Sequence, residues 1–104
     1  MDIFLKSASA LSDETRVKLL KFIYRHKECC VCDLENSFEM IQSRLSRHLK
    51  ILKEAGYLNL RREGRWAFYS IQTPLDEFRQ ACIKEIGYVQ MELPNLKKSC
   101  ESIK

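Results

Sequence analysis

Gln42-Ser43-Arg44-Leu45-Ser46-Arg47-His48-Leu49-Lys50-Ile51-Leu52-Lys53-Glu54-Ala55-Gly56 is the stretch that decides the fold. Leu45, Leu49 and Leu52 are spaced four and three apart, so they share one side of a helix. The spacing predicts a helix over 41–55, with Gly56 placed as its C-terminal stop. The opposite side carries Gln42, Ser43, Arg44, Ser46, Arg47, His48 and Lys50. A helix that is apolar inside and rich in hydrogen-bond donors outside meets the physical demand of lying in a DNA major groove.

Working outward, residues 31–38 read as a short helix joined to the first by a tight turn. Downstream, 57–62 and 65–71 are two β-prone runs around Glu63-Gly64, the pattern of a hairpin. Upstream, Ile3, Phe4, Leu5, Ala8 and Leu11 predict a short first helix. Ser12 is the expected cap of a second helix, with Asp13 and Glu14 in its first turn and an end near Arg25. Near the C-terminus, Thr73 and Pro74 read as the cap and first turn of a last helix. Leu75, Phe78, Cys82, Ile86, Val89, Leu93 and Leu96 form its single stripe, which reads as a dimer seam. Pro94 should end that helix near Leu93.

The chain has 104 residues, one domain over 1–104, with only 3 Gly and 2 Pro, so a mainly α architecture is expected. Its net charge is +4, unevenly placed. Between residues 41 and 65 there are seven basic residues and two acidic ones, about +5, which leaves the remainder near −1. This is the electrostatic footprint of phosphate binding. No apolar run approaches the roughly 20 residues of a membrane span, and the start shows no signal pattern, so a cytoplasmic location is expected.

Two short helices joined by a turn, the second basic, followed by a basic hairpin, is the order of a winged helix-turn-helix. The fold expected is mainly α with a small β-hairpin, in the order α-α-α-α-β-β-α, acting as a homodimer. Gln42, Ser43 and Arg44, early in the reader helix, are the base-edge candidates; Ser46 lies on the same outer face. Arg47, His48 and Lys50 are expected at phosphates, and Arg61, Arg62 and Arg65 of the hairpin at flanking phosphates or the minor groove.

Leu11-Ser12-Asp13-Glu14-Thr15-Arg16 resembles the "LADETR" signature of the ArsR/SmtB repressors. Ser46 to Leu58 is similar to their "SRHLxxLxxAGL" reader, and Arg62 to Tyr69 to their wing. The family usually has Ser where Ile41 stands, so the side-chain cap of the reader helix is absent or moved, at a cost of about 1 kcal/mol. The resemblance implies a homodimeric transcriptional repressor that binds an inverted-repeat operator in double-stranded DNA. Such a repressor leaves its operator when a metal or metalloid binds.

Glu28-Cys29-Cys30-Val31-Cys32-Asp33-Leu34 resembles the "ELCVCDL" box of the arsenic-responsive members, with Cys30 and Cys32 as the matching thiols. That likeness implies As(III) or Sb(III) as the effector, and no permanent cofactor. Trivalent arsenic takes three sulfurs. Cys29 is the first choice for the third; Cys82 or Cys100 of either subunit and an exogenous thiol are the others. His26 beside the cluster reads as a surface residue at a helix end, with a fourth ligand as the alternative reading.

The box is expected at the start of the third helix, where residues two apart point about 200° apart. Shared ligation therefore predicts that the first turn unwinds, which would shift the reader. A thiol-redox signal and a cadmium or lead signal are the alternative readings within this fold. Zinc ligation on the last helix is not expected, since no His follows His48. A thiol enzyme is not expected either, because no base is positioned against a Cys nucleophile.

Overall fold

A computed structural model describes residues 1–98. Among them are five helices, α1 (Asp2–Ala10), α2 (Glu14–His26), α3 (Val31–Phe38), α4 (Gln42–Glu54) and α5 (Glu77–Tyr88). A three-stranded antiparallel sheet is built from β1 (Glu28–Cys30), β2 (Leu58–Glu63) and β3 (Trp66–Ile71), in the order β1-β3-β2. The helix-turn-helix is α3–α4 and the wing is β2–β3.

The reader helix forms where the leucine spacing places it. Leu45, Leu49 and Leu52 are buried against Leu19, Leu20, Phe22 and Ile23 of α2 and Leu34 of α3 in one core cluster. Each such leucine contributes about 1.5–3 kcal/mol of burial, which seats the helix from its inner side and leaves the outer side for a ligand. Ile41 is its N-cap and makes no side-chain cap hydrogen bond, so the first turn is held by packing and backbone alone.

Gly56 ends this helix at φ +90°, a left-handed conformation that other residues rarely adopt. A Cβ here would also meet Arg79 Nε at 2.7 Å. That guanidinium donates to the Ala55 carbonyl at 2.7 Å and so closes the helix end from α5. Tyr57, fully buried, donates its hydroxyl to the Ser7 carbonyl at 3.1 Å and ties α1 to the start of the wing.

Five sequence expectations change. The cap of α2 is Asp13, which accepts from the Arg16 amide at 3.0 Å; the Ser12 hydroxyl instead donates to the Ser9 carbonyl at 2.7 Å. The cap of α5 is Asp76, not Thr73, and Pro74 precedes the helix. That helix stops at Tyr88, short of Leu93. Gly87 weakens its last turn, and the Val89 carbonyl is drawn away by Lys21 Nζ at 2.6 Å.

Residues 89–98 then run without helix or strand, and Met91, Leu93 and Leu96 pack on the core. The distal half of the expected dimer stripe is thus a strap on the chain's own domain. Finally, β1 is a strand absent from the expected order. It pairs with β3 through Glu28↔Ser70, Cys29↔Tyr69 and Cys30↔Phe68, so it is made by a partner some forty residues away rather than by local sequence.

Candidate functional site

The outer face of α4 and the wing form one exposed basic surface. Gln42, Ser43, Arg44, Ser46, Arg47 and Lys50 are all exposed, and none of these cations forms an ion pair among the described residues. His48 does not belong with them. It is 6% exposed and turned inward, with Nδ1 3.4 Å from Arg16 Nη1. Burial holds its imidazole below the usual pKa, and the nearby Arg16, Arg44 and Arg47 act the same way, against Asp13. A buried imidazole kept neutral is poorly placed as a phosphate contact; it joins α2 to the reader helix.

The wing arginines also divide. Arg62 and Arg65 are exposed and make no ion pair among the described residues. Arg65 lies over Trp66, 5.3 Å from the ring centre. Arg61 is engaged: Nε and Nη2 donate to the two Glu28 carboxylate oxygens at 3.1 and 3.0 Å, and Nη1 to Glu63 at 3.2 Å. Its guanidinium lies 4.5 Å from the Phe68 ring centre. Fork geometry satisfies most of its donors, and Glu28 is held below the usual carboxylate range first by that hydrogen bond.

Arg62→Ala should therefore weaken binding to all DNA sequences and lower the salt slope by about one. Arg61→Ala should change the slope much less. Affinity titrations at several salt concentrations check both, and equal slopes for the two variants would refute the division.

The thiol site lies at the β1–α3 junction. Cys30 is the residue before α3, at φ −73° and ψ 148°, and Cys32 is in the first turn. Because Cys30 is extended rather than helical, the two side chains do not diverge by 200°. Their Cα atoms are 5.4 Å apart and their sulfurs are in direct contact, joined as a disulfide. The expected unwinding is thus unnecessary: the strand-to-helix turn already brings the pair together.

Asp33 joins them. Cys30 Sγ, Cys32 Sγ and an Asp33 oxygen lie within 4.8 Å of one another. Two sulfurs on one ion at Zn–S-like bond lengths need about 3.5–4 Å between them, a span this turn can hold once the thiols are reduced. Asp33 stands in the quoted box but was not among the expected ligands. Its adjacency to Cys32 in a first helical turn was the available signal.

Cys29, the first choice for a third thiol, is placed elsewhere. Neighbouring residues of a strand point to opposite faces. Cys29 is 2% exposed within the core cluster, opposite Tyr69. Burial, and then the charge of Asp33, push its thiol up to about 12. Cys82 sits on α5 beside Tyr57, among residues that pack on the core. Cys100 lies outside the described residues. His26 packs its ring on Phe22, with centroids 4.4 Å apart.

The reading face and the thiol turn are mechanically continuous. α3 packs on α4, and β1 is hydrogen-bonded to β3 of the wing. A change in the thiol turn thus has a path to both α4 and the wing.

Residues 13–59 match the family described as "Bacterial regulatory protein, arsR family". The chain is 38% identical over 76 residues to the arsenic resistance transcriptional regulator ArsR1 of Pseudomonas putida, a match covering 73% of this chain and 59% of that protein. It is 34% identical over 96 residues to the cadmium resistance transcriptional regulatory protein CadC homolog of Staphylococcus aureus, covering 92% of this chain and 76% of that one. Its fold matches the homodimeric winged helix-turn-helix DNA-binding domain of a possible ArsR-family regulator from Mycobacterium bovis. That match has a TM-score of 0.69 and 24% identity, over 82% of this chain and 75% of that chain.

Proposed function

The chain belongs to the ArsR family of bacterial regulatory proteins, and on that premise we propose that it is a metalloid-responsive repressor. It binds an inverted-repeat operator as a homodimer and releases it when As(III) or Sb(III) binds Cys30 and Cys32. The observation that carries this reading is the pairing of those two sulfurs at a turn that connects to both the reader and the wing. Soft thiolates select soft centres, and one relative at 38% identity is an arsenic resistance regulator.

Gln42, Ser43 and Arg44 read base edges; Ser46, Arg47 and Lys50 and the wing's Arg62 and Arg65 hold the DNA backbone. The apolar surface suited to a second copy is exposed on α1 and α5. Ile3, Phe4, Leu5, Phe78 and Tyr88 are 71%, 55%, 54%, 38% and 71% exposed, and Phe4 packs on Phe78 at 5.2 Å to bind the two helices into one face.

Release does not come from unwinding α3. The ion closes the β1–α3 turn on itself and shifts either β1, which carries the wing, or α3, which carries the reader. The coupling is reciprocal, so DNA weakens effector binding by the same factor.

Fluorescence anisotropy of a labelled operator, titrated with arsenite and reduced protein, tests the reading. The expected result is loss of DNA affinity by about 5–150-fold, the usual range of allosteric coupling. Unchanged affinity at saturating arsenite sinks it.

The direct contact of the Cys30 and Cys32 sulfurs supports a second reading, in which oxidation of this pair is the signal. Peroxide-driven release, with no response to arsenite, would favour it.

A further inference from the structure

We propose that Arg79 is the positioning residue that sets the half-site spacing of the operator, by fixing the reader helix to the face that meets the second copy. This rests on the reading of the chain as a homodimer on an inverted repeat, and not on the identity of the effector. In such a dimer the distance and angle between the two reader helices decide which half-site spacing is accepted. Within one chain, both are fixed by whatever joins the reader to the dimer face.

The join is at the C-terminal end of α4. The last carbonyls of a helix lack partners within it and carry the negative end of its dipole. Here the Leu52 carbonyl accepts the Tyr57 amide and the Lys53 carbonyl accepts the Gly56 amide, both at 3.0 Å. The Ala55 carbonyl is left for α5 and accepts from Arg79 Nε at 2.7 Å. The dipole favours a cation there, and a charge-assisted bond is short and strong. About 1 Å of slip between α4 and α5 would take it out of hydrogen-bond range.

Arg79 is itself held. Its side chain is 15% exposed, and Nη1 pairs with Asp76 Oδ2 at 3.0 Å. Asp76 Oδ1 accepts the Arg79 amide at 3.1 Å, so one carboxylate both caps α5 and aims the guanidinium. Gly56 leaves room for the approach, since a Cβ there would come within 2.7 Å of Nε. With Nε and Nη1 committed in this way, Arg79 is poorly placed as a phosphate contact.

The same turn of α5 carries the apolar face. Phe78, next to Arg79 in sequence, packs on Phe4 of α1 at 5.2 Å. From α1, the Ser7 carbonyl accepts the Tyr57 hydroxyl at 3.1 Å, and Ser7 Oγ lies 3.4 Å from the Ala55 carbonyl. Both helices of the face therefore converge on residues 55–57, and the shortest of these links is Arg79.

Anisotropy with the full chain and a fluorescein-labelled duplex tests this. The duplex carries two inverted half-sites selected from random DNA by the parent, and the spacer between them is then changed by one or two base pairs. Each base pair moves one half-site by about 3.4 Å and about 34° around the duplex. The parent should lose about tenfold in affinity for each change. Arg79→Gln should compress that range to about threefold, while base preference within a half-site and the salt slope stay as in the parent. Asp76→Asn keeps a capping acceptor and removes the ion pair, so it should fall between the two; it carries the test alone if thermal melts show that Arg79→Gln does not fold. Parental spacing ratios in the folded variants overturn this inference alone. A uniform fall at every spacing, with the ratios intact, makes Arg79 a stabilising residue only and overturns it as well, as does a parent indifferent to spacing. A parent that binds one half-site as a monomer, or binds no DNA, overturns the homodimeric operator reading, and this inference with it.

Discussion

Cys30→Ser and Cys32→Ser should each leave DNA affinity within about twofold of the parent and abolish release by arsenite, a loss of the whole 5–150-fold response. The two variants remove a sulfur and keep the shape. Neither residue lies on the outer face of α4 or on the exposed wing, so the DNA-facing side chains are untouched. What is lost is a ligand that cannot be replaced, because a hydroxyl oxygen is a hard donor and the centre is soft. Cys29→Ser gives the contrast. Like Cys30→Ser it places a hydroxyl at a position 2% exposed, where an unpaired polar group costs about 1–3 kcal/mol, yet it should release DNA normally. Anisotropy titrations with and without arsenite, alongside thermal melts, separate the three variants. Loss of DNA binding in both Cys30→Ser and Cys32→Ser would make the turn structural; persistent release in both would place the sensor elsewhere.

What could be read from the sequence follows from how local each signal is. The reader helix was legible because three leucines at four and three residues record one buried face, and Gly56 marks its end by a backbone conformation few other residues adopt. The hairpin was legible because Gly64 at φ +60° joins two β-prone runs. β1 was not, since three residues carry no periodicity and the strand exists only through β3. That omission propagated: with the box read at the start of the third helix, the sulfurs of Cys30 and Cys32 were expected to diverge, and Cys29, their neighbour in sequence, stood as the first choice for a third.

The end of α5 was misplaced for a related reason. An apolar residue every three or four positions marks what is buried, and Leu93 and Leu96 are indeed partly buried, but in an irregular strap rather than a helix. Residue pattern likewise left His48 with its basic neighbours, because a single imidazole on a donor-rich helix does not reveal that it is buried against Arg16 of α2, near the charge of the capping Asp13.

Arg44→Ala should remove base preference at one operator position, at a cost of about 1–3 kcal/mol, or roughly 5–150-fold against the preferred base. Arg44 is the third residue of α4, in the first turn, the end proposed to enter the major groove, and it is exposed with no ion pair among the described residues. A guanidinium offers parallel N–H donors that match guanine O6 and N7, and alanine offers none. Phosphate contacts behave differently, since every sequence presents the same backbone. The decisive measurement is therefore a ratio. Competition anisotropy compares an operator selected by the parent with single-base variants of it, at fixed salt. The ratio between best and variant sites should collapse at one position in Arg44→Ala and persist in Arg62→Ala, where both affinities fall together. Arg47, one turn further along the same face, should follow Arg62 in this respect. If Arg44→Ala keeps the parent's full set of ratios, the base-reading residue is not Arg44. Gln42, whose amide can serve adenine N6 and N7 from the adjacent first-turn position, becomes the residue to substitute next.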